Sequence, residues 1–185
     1  MPYLANLNSL PNTFEAYPEL ARPMLDLGQA IMRGPAPLTP GEREFLAAYI
    51  SALNNCQFCQ DSHAACAVRF DQPESVDRLV ADAVTDLDGA TLPNPKLKPI
   101  LAYVRKLTLT PSSVEQTDID AILAAGWDDK AVVCAVAVCG YFNQLNRLVE
   151  GLGIEPDKQV SQMAAWALHA GGYPSVGPQA KPAVE

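Results

Sequence analysis

The sequence is short of positive charge. Thirteen Lys and Arg stand against twenty-one Asp and Glu, a net charge of −8, and such a field repels phosphate backbones and anionic lipid. Nucleic acid and membranes are therefore not expected partners. Long apolar runs are also missing: the longest, residues 131–142, is interrupted by cysteines and Gly140 and falls short of the roughly 20 residues that span a bilayer. It reads as a buried helix. The first residues, Met1-Pro2-Tyr3-Leu4-Ala5-Asn6-Leu7-Asn8, lack the basic start and apolar core of a secretory signal, which makes a reducing cytoplasm the expected compartment. No alternating strand pattern, hairpin signal or internal repeat is present. Five cysteines are an odd number, so a fully paired disulfide framework is excluded and at least one thiol stays free.

What the chain does have is apolar bulk with helical spacing. Its 185 residues are 49% hydrophobic, enough to bury one core, and the periodicity predicts an all-α helical bundle. Residues 1–36 read as a proline-rich N-terminal arm with short turns near 14–17 and a lead-in helix over 23–32, stopped by Gly34-Pro35-Ala36-Pro37. Residues 37–172 read as a helical domain and 173–185 as a mobile Gly/Pro-rich tail. Within the domain, Thr39-Pro40-Gly41-Glu42 supplies a cap, a proline at the first helical position and an acid in the first turn, predicting a helix over 40–53. Asn54-Asn55 predicts a break, and a second helix follows to about residue 70. Further helices are expected over 73–86, 96–109, 114–125 (capped by Ser112 or Ser113), 129–151 (capped by Asp128) and 158–169.

The chemistry concentrates at Cys56-Gln57-Phe58-Cys59-Gln60-Asp61-Ser62-His63, with Glu44 twelve residues upstream. At 100° per residue, Cys56, Cys59 and His63 share one helical face, and the positive end of a helix start favours thiolate. A lowered thiol pKa is the expectation. A thiolate that attacks a peroxide becomes a sulfenic acid, and a neighbouring thiol condenses with it to a disulfide. Glu44 joins this centre only if the chain reverses at the asparagines, since on one straight helix it lies about 22 Å from Cys59. Zinc needs four ligands, and the remaining candidates Cys66, Cys134, Cys139 and His169 do not combine with the pair convincingly. A thioredoxin-like motif needs a βαβ context that this chain lacks. Cys66, Cys134 and Cys139 read as small buried hydrophobes. No metal or cofactor is expected.

The register of Glu44, eleven residues, Cys56-x-x-Cys59-x-x-x-His63, preceded by Asn54-Asn55, resembles the signature of the alkyl hydroperoxidase D and carboxymuconolactone decarboxylase-like superfamily. The stretch Tyr141-Phe142-Asn143-Gln144-Leu145-Asn146-Arg147-Leu148-Val149-Glu150-Gly151-Leu152-Gly153 is similar to its peroxidase-related branch. The resemblance implies an alkyl hydroperoxidase D-like helical bundle assembled into trimers or hexamers. It also implies a peroxidase that reduces alkyl hydroperoxides through a dithiol/disulfide cycle. Cys59 takes the place of the peroxidatic cysteine and Cys56 that of the proton donor and resolving thiol, with His63 and Glu44 as the proton relay. The reductant it implies is a thiol donor, lipoyl-bearing or thioredoxin-like. One position departs: Phe58 stands where characterised members carry a second histidine before the second cysteine. Two other function classes stand beside the peroxidase: a non-redox, decarboxylase-like enzyme using Glu44 and His63 alone, and a redox-sensing oligomer without turnover.

Overall fold

A computed structural model of the chain describes residues 2–178, and those residues form helices and connecting loops with no strand. The elements are α1 (Leu10–Ala16), α2 (Pro18–Arg33), α3 (Pro40–Leu53), α4 (Gln57–Arg69), α5 (Val76–Thr85), α6 (Leu97–Leu109), α7 (Gln116–Ala124), α8 (Asp129–Leu152) and α9 (Lys158–Gly171), with 3-10 turns at Pro111–Ser113 and Tyr173–Val176. The all-α expectation is borne out.

Helix α3 has the expected bounds because its N-terminus is fully specified. Thr39 accepts from the Glu42 N–H while Glu42 reaches back to the Thr39 N–H, and Pro40 occupies the first turn, so two otherwise orphan donors are satisfied. The helix is buried almost all round and packs along α4, which in turn lies against α9, while α8 covers α3 from another side. The core centres on α3, and α2, α4, α5, α6 and α8 supply most of its other buried side chains. Helix α8 is long and apolar enough to cross a membrane by length and composition, with a mean hydropathy of 1.3 in its most apolar stretch. It is built into this core, with Ala131, Ala135, Val138, Phe142 and Val149 buried.

Three differences from the sequence expectations have local causes. The lead-in helix begins at Pro18, not Pro23, because Pro18 suits the first turn. Pro23 lies on the exposed side, where the carbonyl it leaves free can reach water. Helix α7 is capped by a box between Glu115 and Asp118, since Ser113 is engaged with Thr110 in the preceding 3-10 turn. The segment after α9, expected as the start of a mobile tail, is packed at first: Tyr173 is buried, and its N–H donates to Gln29 Oε1 on α2 at 3.0 Å. Residues 179–185 of that expected tail lie outside the described residues.

Candidate active site

The break between α3 and α4 determines everything near the thiols. Asn54 ends α3, Asn55 takes the left-handed conformation at φ 56, and the Asn55 and Cys56 N–H groups donate back to the Ala52 and Ser51 carbonyls. This is a Schellman end. The asparagines therefore cap the end of α3 and not the start of α4, whose N-cap is Cys56 itself, with no capping bond from its side chain. Helix α8 clamps the reversal: Asn54 Nδ2 donates to Asn143 Oδ1 at 3.2 Å and Asn146 Oδ1 at 2.9 Å, and the buried Asn146 donates to Ser51 Oγ at 3.0 Å.

The reversal brings α3 back along α4 and delivers Glu44 to His63. His63 Nδ1 lies 2.6 Å from Glu44 Oε2, with both side chains buried, and the His63 ring stands edge-on to Phe142 at 4.4 Å. With Nδ1 held by the carboxylate, Nε2 is the nitrogen left to exchange protons. The other oxygen of Glu44 faces a residue that sequence reasoning missed: Arg33 Nη2, from the last turn of α2, lies 2.6 Å from Oε1. Arg33 is itself held by the Leu168 carbonyl at 3.2 Å and stacks on Phe70 and Tyr173. Complete burial works to raise the Glu44 pKa, but His63 and Arg33 together outweigh it and hold the carboxyl below the ordinary range. No local pattern marks Arg33; only the tertiary fold reveals it.

Both thiols of the Cys56/Cys59 pair are reduced and buried, but their surroundings differ. Cys59 lines a cavity of about 510 Å³ together with His63 and Phe58. Cys56 sits behind it, packed with Val149 and Ile154. The helix start does not lower the Cys56 thiol. A hydrogen bond with Cys59, then burial, push its pKa well above the ordinary thiol value, because a thiol engaged by its neighbour and kept from water resists ionisation. Cys56 thus stays protonated beside Cys59.

Glu44 does not touch this pair directly; its partner His63 shares the cavity lining with Cys59. The thiol next to Glu44 is Cys66, which is fully buried, 3.7 Å from Arg33 Nη2, and pushed up by burial and by Glu44. Cys66 is in the core as expected, but its place against Glu44 was not legible. Cys134 and Cys139 are buried on different sides of α8, the first pushed up by burial against the opposing effect of Arg43 and the second against Thr108 Oγ1 at 3.3 Å. Among the described residues no group of His, Cys, Asp and Glu could hold a metal ion.

A buried dithiol and a carboxylate–histidine pair thus stand beside a cavity in a helical bundle, and the comparisons show what this chain is similar to. Residues 18–91 match the model of the Carboxymuconolactone decarboxylase family, a segment that runs from α2 through the dithiol to the loop after α5. The fold is shared with an uncharacterized peroxidase-related protein from Ralstonia eutropha, described as an alkylhydroperoxidase AhpD core (TM-score 0.73, 25% identity, covering 83% of this chain and 78% of that one). A peroxidase-related protein from Silicibacter sp. gives a TM-score of 0.70 at 23% identity, covering 81% of this chain and 76% of that one. A protein of unknown function from Agrobacterium tumefaciens, described in terms of AhpD and antioxidant defence, gives 0.65 at 18% identity, covering 79% and 96%. No curated protein matches the chain. The resemblance read from the sequence, to the alkyl hydroperoxidase D and carboxymuconolactone decarboxylase-like superfamily and its peroxidase-related branch, is borne out.

Proposed function

We propose that the protein is a thiol peroxidase that reduces organic hydroperoxides. The observation that carries this reading is that Cys59 and His63 line the same cavity, with Cys56 directly behind Cys59 and Glu44 directly behind His63. His63 Nε2 takes the Cys59 proton. The thiolate attacks the terminal peroxide oxygen, so that an S–O bond forms and the O–O bond breaks. His63 returns the proton to the leaving alkoxide, which departs as an alcohol. Cys59 has lost two electrons and become a sulfenic acid. The Cys56 thiol then attacks that sulfur, its proton leaves with the hydroxyl as water, and a Cys56–Cys59 disulfide results. A dithiol reductant, lipoyl-bearing or thioredoxin-like, returns two electrons and two protons, and a reducing cytoplasm keeps the pair ready.

A homo-oligomer, trimer or hexamer, accompanies this reading, supported by the exposed Val133 and Val136 on α8 and Trp166 on α9. The decarboxylase alternative is less well supported: a carboxylated lactone wants a cation beside it, and among the described residues neither Lys nor Arg lines the cavity. The test is to treat the reduced protein with one equivalent of cumene hydroperoxide and follow peroxide loss and the mass of the tryptic peptides. Stoichiometric alcohol and a Cys56–Cys59 disulfide are expected. Peroxide consumption by Cys59→Ser at the wild-type rate would falsify the assignment.

A further inference from the structure

The cavity beside Cys59 bears on the substrate as well as on the chemistry. At about 510 Å³ it is within the range of sites that enclose a small organic molecule. It is more than ten times the roughly 30 Å³ that a water-sized solute occupies. Its walls come from α1, α2, α4, α8 and α9 and are built from side chains such as Leu10, Phe14, Leu25, Phe58, Leu145 and Val160. Among the described residues no Lys, Arg, Asp or Glu belongs to the lining. The polar atoms that do border it are largely engaged already: Ser62 Oγ donates to the Phe58 carbonyl, Ser175 Oγ to the Ala167 and Gly172 carbonyls, and His63 Nδ1 is held by Glu44. The Tyr141 and Tyr173 hydroxyls of the lining are buried without a partner but carry no charge, and the reactive end is the Cys59/His63 corner. Phe58 extends the apolar wall up to it.

We propose that this cavity selects an uncharged hydroperoxide with a hydrocarbon body, seated with its –OOH at Cys59, and discriminates against hydrogen peroxide and against hydroperoxides that carry a carboxylate on that body. The proposal rests on the thiol peroxidase reading. Hydrogen peroxide has no apolar surface with which to fill the cavity, so it gains none of the burial that a hydrocarbon gains. A carboxylate on the body would lose water without meeting a cation, and it would approach a protein whose net charge is already −8.

The test uses the full-length reduced protein with hydrogen peroxide and three hydroperoxides built on one hydrocarbon: cumene hydroperoxide, its ring-carboxylated analogue, and the methyl ester of that analogue as the size control. The expected result is a kcat/KM for the ester at least about tenfold above that for the carboxylate, with hydrogen peroxide slowest. A carboxylate turned over as well as its ester overturns the proposal. Ala164→Lys and Met163→Lys, which add a cation at the half-buried and exposed parts of the lining, are expected to narrow the ratio by raising turnover of the carboxylate. Unchanged ratios in both folded variants would place the body of the substrate elsewhere. Calorimetric binding of the corresponding alcohols reads the cavity without turnover. If the ester alcohol binds and the carboxylate alcohol does not, while no hydroperoxide is consumed, selection stands and the peroxidase reading fails. If neither alcohol binds, selection fails.

Discussion

Glu44 and His63 are nineteen residues apart in the chain and 2.6 Å apart in the fold, and both are buried. A histidine held this way presents one fixed nitrogen to its neighbours, and the negative carboxylate favours the proton that the imidazole takes up during reaction. Glu44→Gln keeps the size and a hydrogen-bond acceptor but removes the charge. The expected outcome is a rate of sulfenic acid formation at Cys59 lower by about a hundredfold, measured by stopped flow with cumene hydroperoxide. A rate within twofold of wild type would show that the carboxylate takes no part in the proton transfer.

The same carboxylate makes stability depend on pH. Its folded pKa is depressed, with burial opposed and outweighed by His63 and Arg33. The stabilisation is therefore fully present above the unfolded glutamate value of about 4.3 and is lost as pH falls through the lower folded value. Arg33→Met removes one of the two partners and raises the folded pKa. Loss of structure on acid titration, followed by circular dichroism, is expected to begin at a higher pH than in wild type. At neutral pH the variant is expected to lose about 1–3 kcal/mol, because the buried carboxylate keeps His63 but loses one charged partner. An unshifted acid transition would mean that Arg33 does not act on Glu44.

Much of this site was legible from the chain, and the rest was not for identifiable reasons. The capping signal Thr39-Pro40-Gly41-Glu42 and the stop at Asn54-Asn55 are local, so the bounds of α3 followed from them. The pairing of Glu44 with His63 could only be conditional, since it depended on how sharply the chain turned at Asn55. Arg33 and the position of Cys66 depend on contacts between α2, α3, α4 and α9, for which no spacing rule exists. The cavity is assembled from segments as far apart as Leu10 and Val176. A helix start favours thiolate as a local rule, but at Cys56 a hydrogen bond with Cys59 and burial, which depend on packing, outweigh it and push the thiol up.

The left-handed Asn55 should tolerate glycine and resist branched residues. Its φ of 56 is needed for the Schellman end that turns α3 into α4, and an L residue other than Asn, Asp or Gly pays roughly 1–2 kcal/mol to adopt it. Asn55→Val is expected to lower denaturant stability by about that amount, and Asn55→Gly to leave it nearly unchanged. Equal stability of the valine and glycine variants would show that the turn is held by other contacts.

Gly28 on α2 gives the most specific packing test, because a methyl group there would run into the Tyr141 hydroxyl and the edge of the Tyr173 ring. Both rings are buried and meet each other at 5.8 Å, so neither can swing out to solvent without opening the wall of the cavity. Gly28→Ala would ordinarily stabilise a helix by about 0.5–1 kcal/mol, but overpacking a closed core costs about 1–3 kcal/mol, and the second effect is expected to win in thermal or urea unfolding. The Tyr141 hydroxyl has no hydrogen-bond partner in the structure, so Tyr141→Phe alone should be close to neutral. Combined with Gly28→Ala it should recover a large part of the loss, since it removes the atom that the new methyl meets first. The sum of the single effects would then differ from the double by more than about 0.5 kcal/mol, and strict additivity would place the strain at the Tyr173 ring instead.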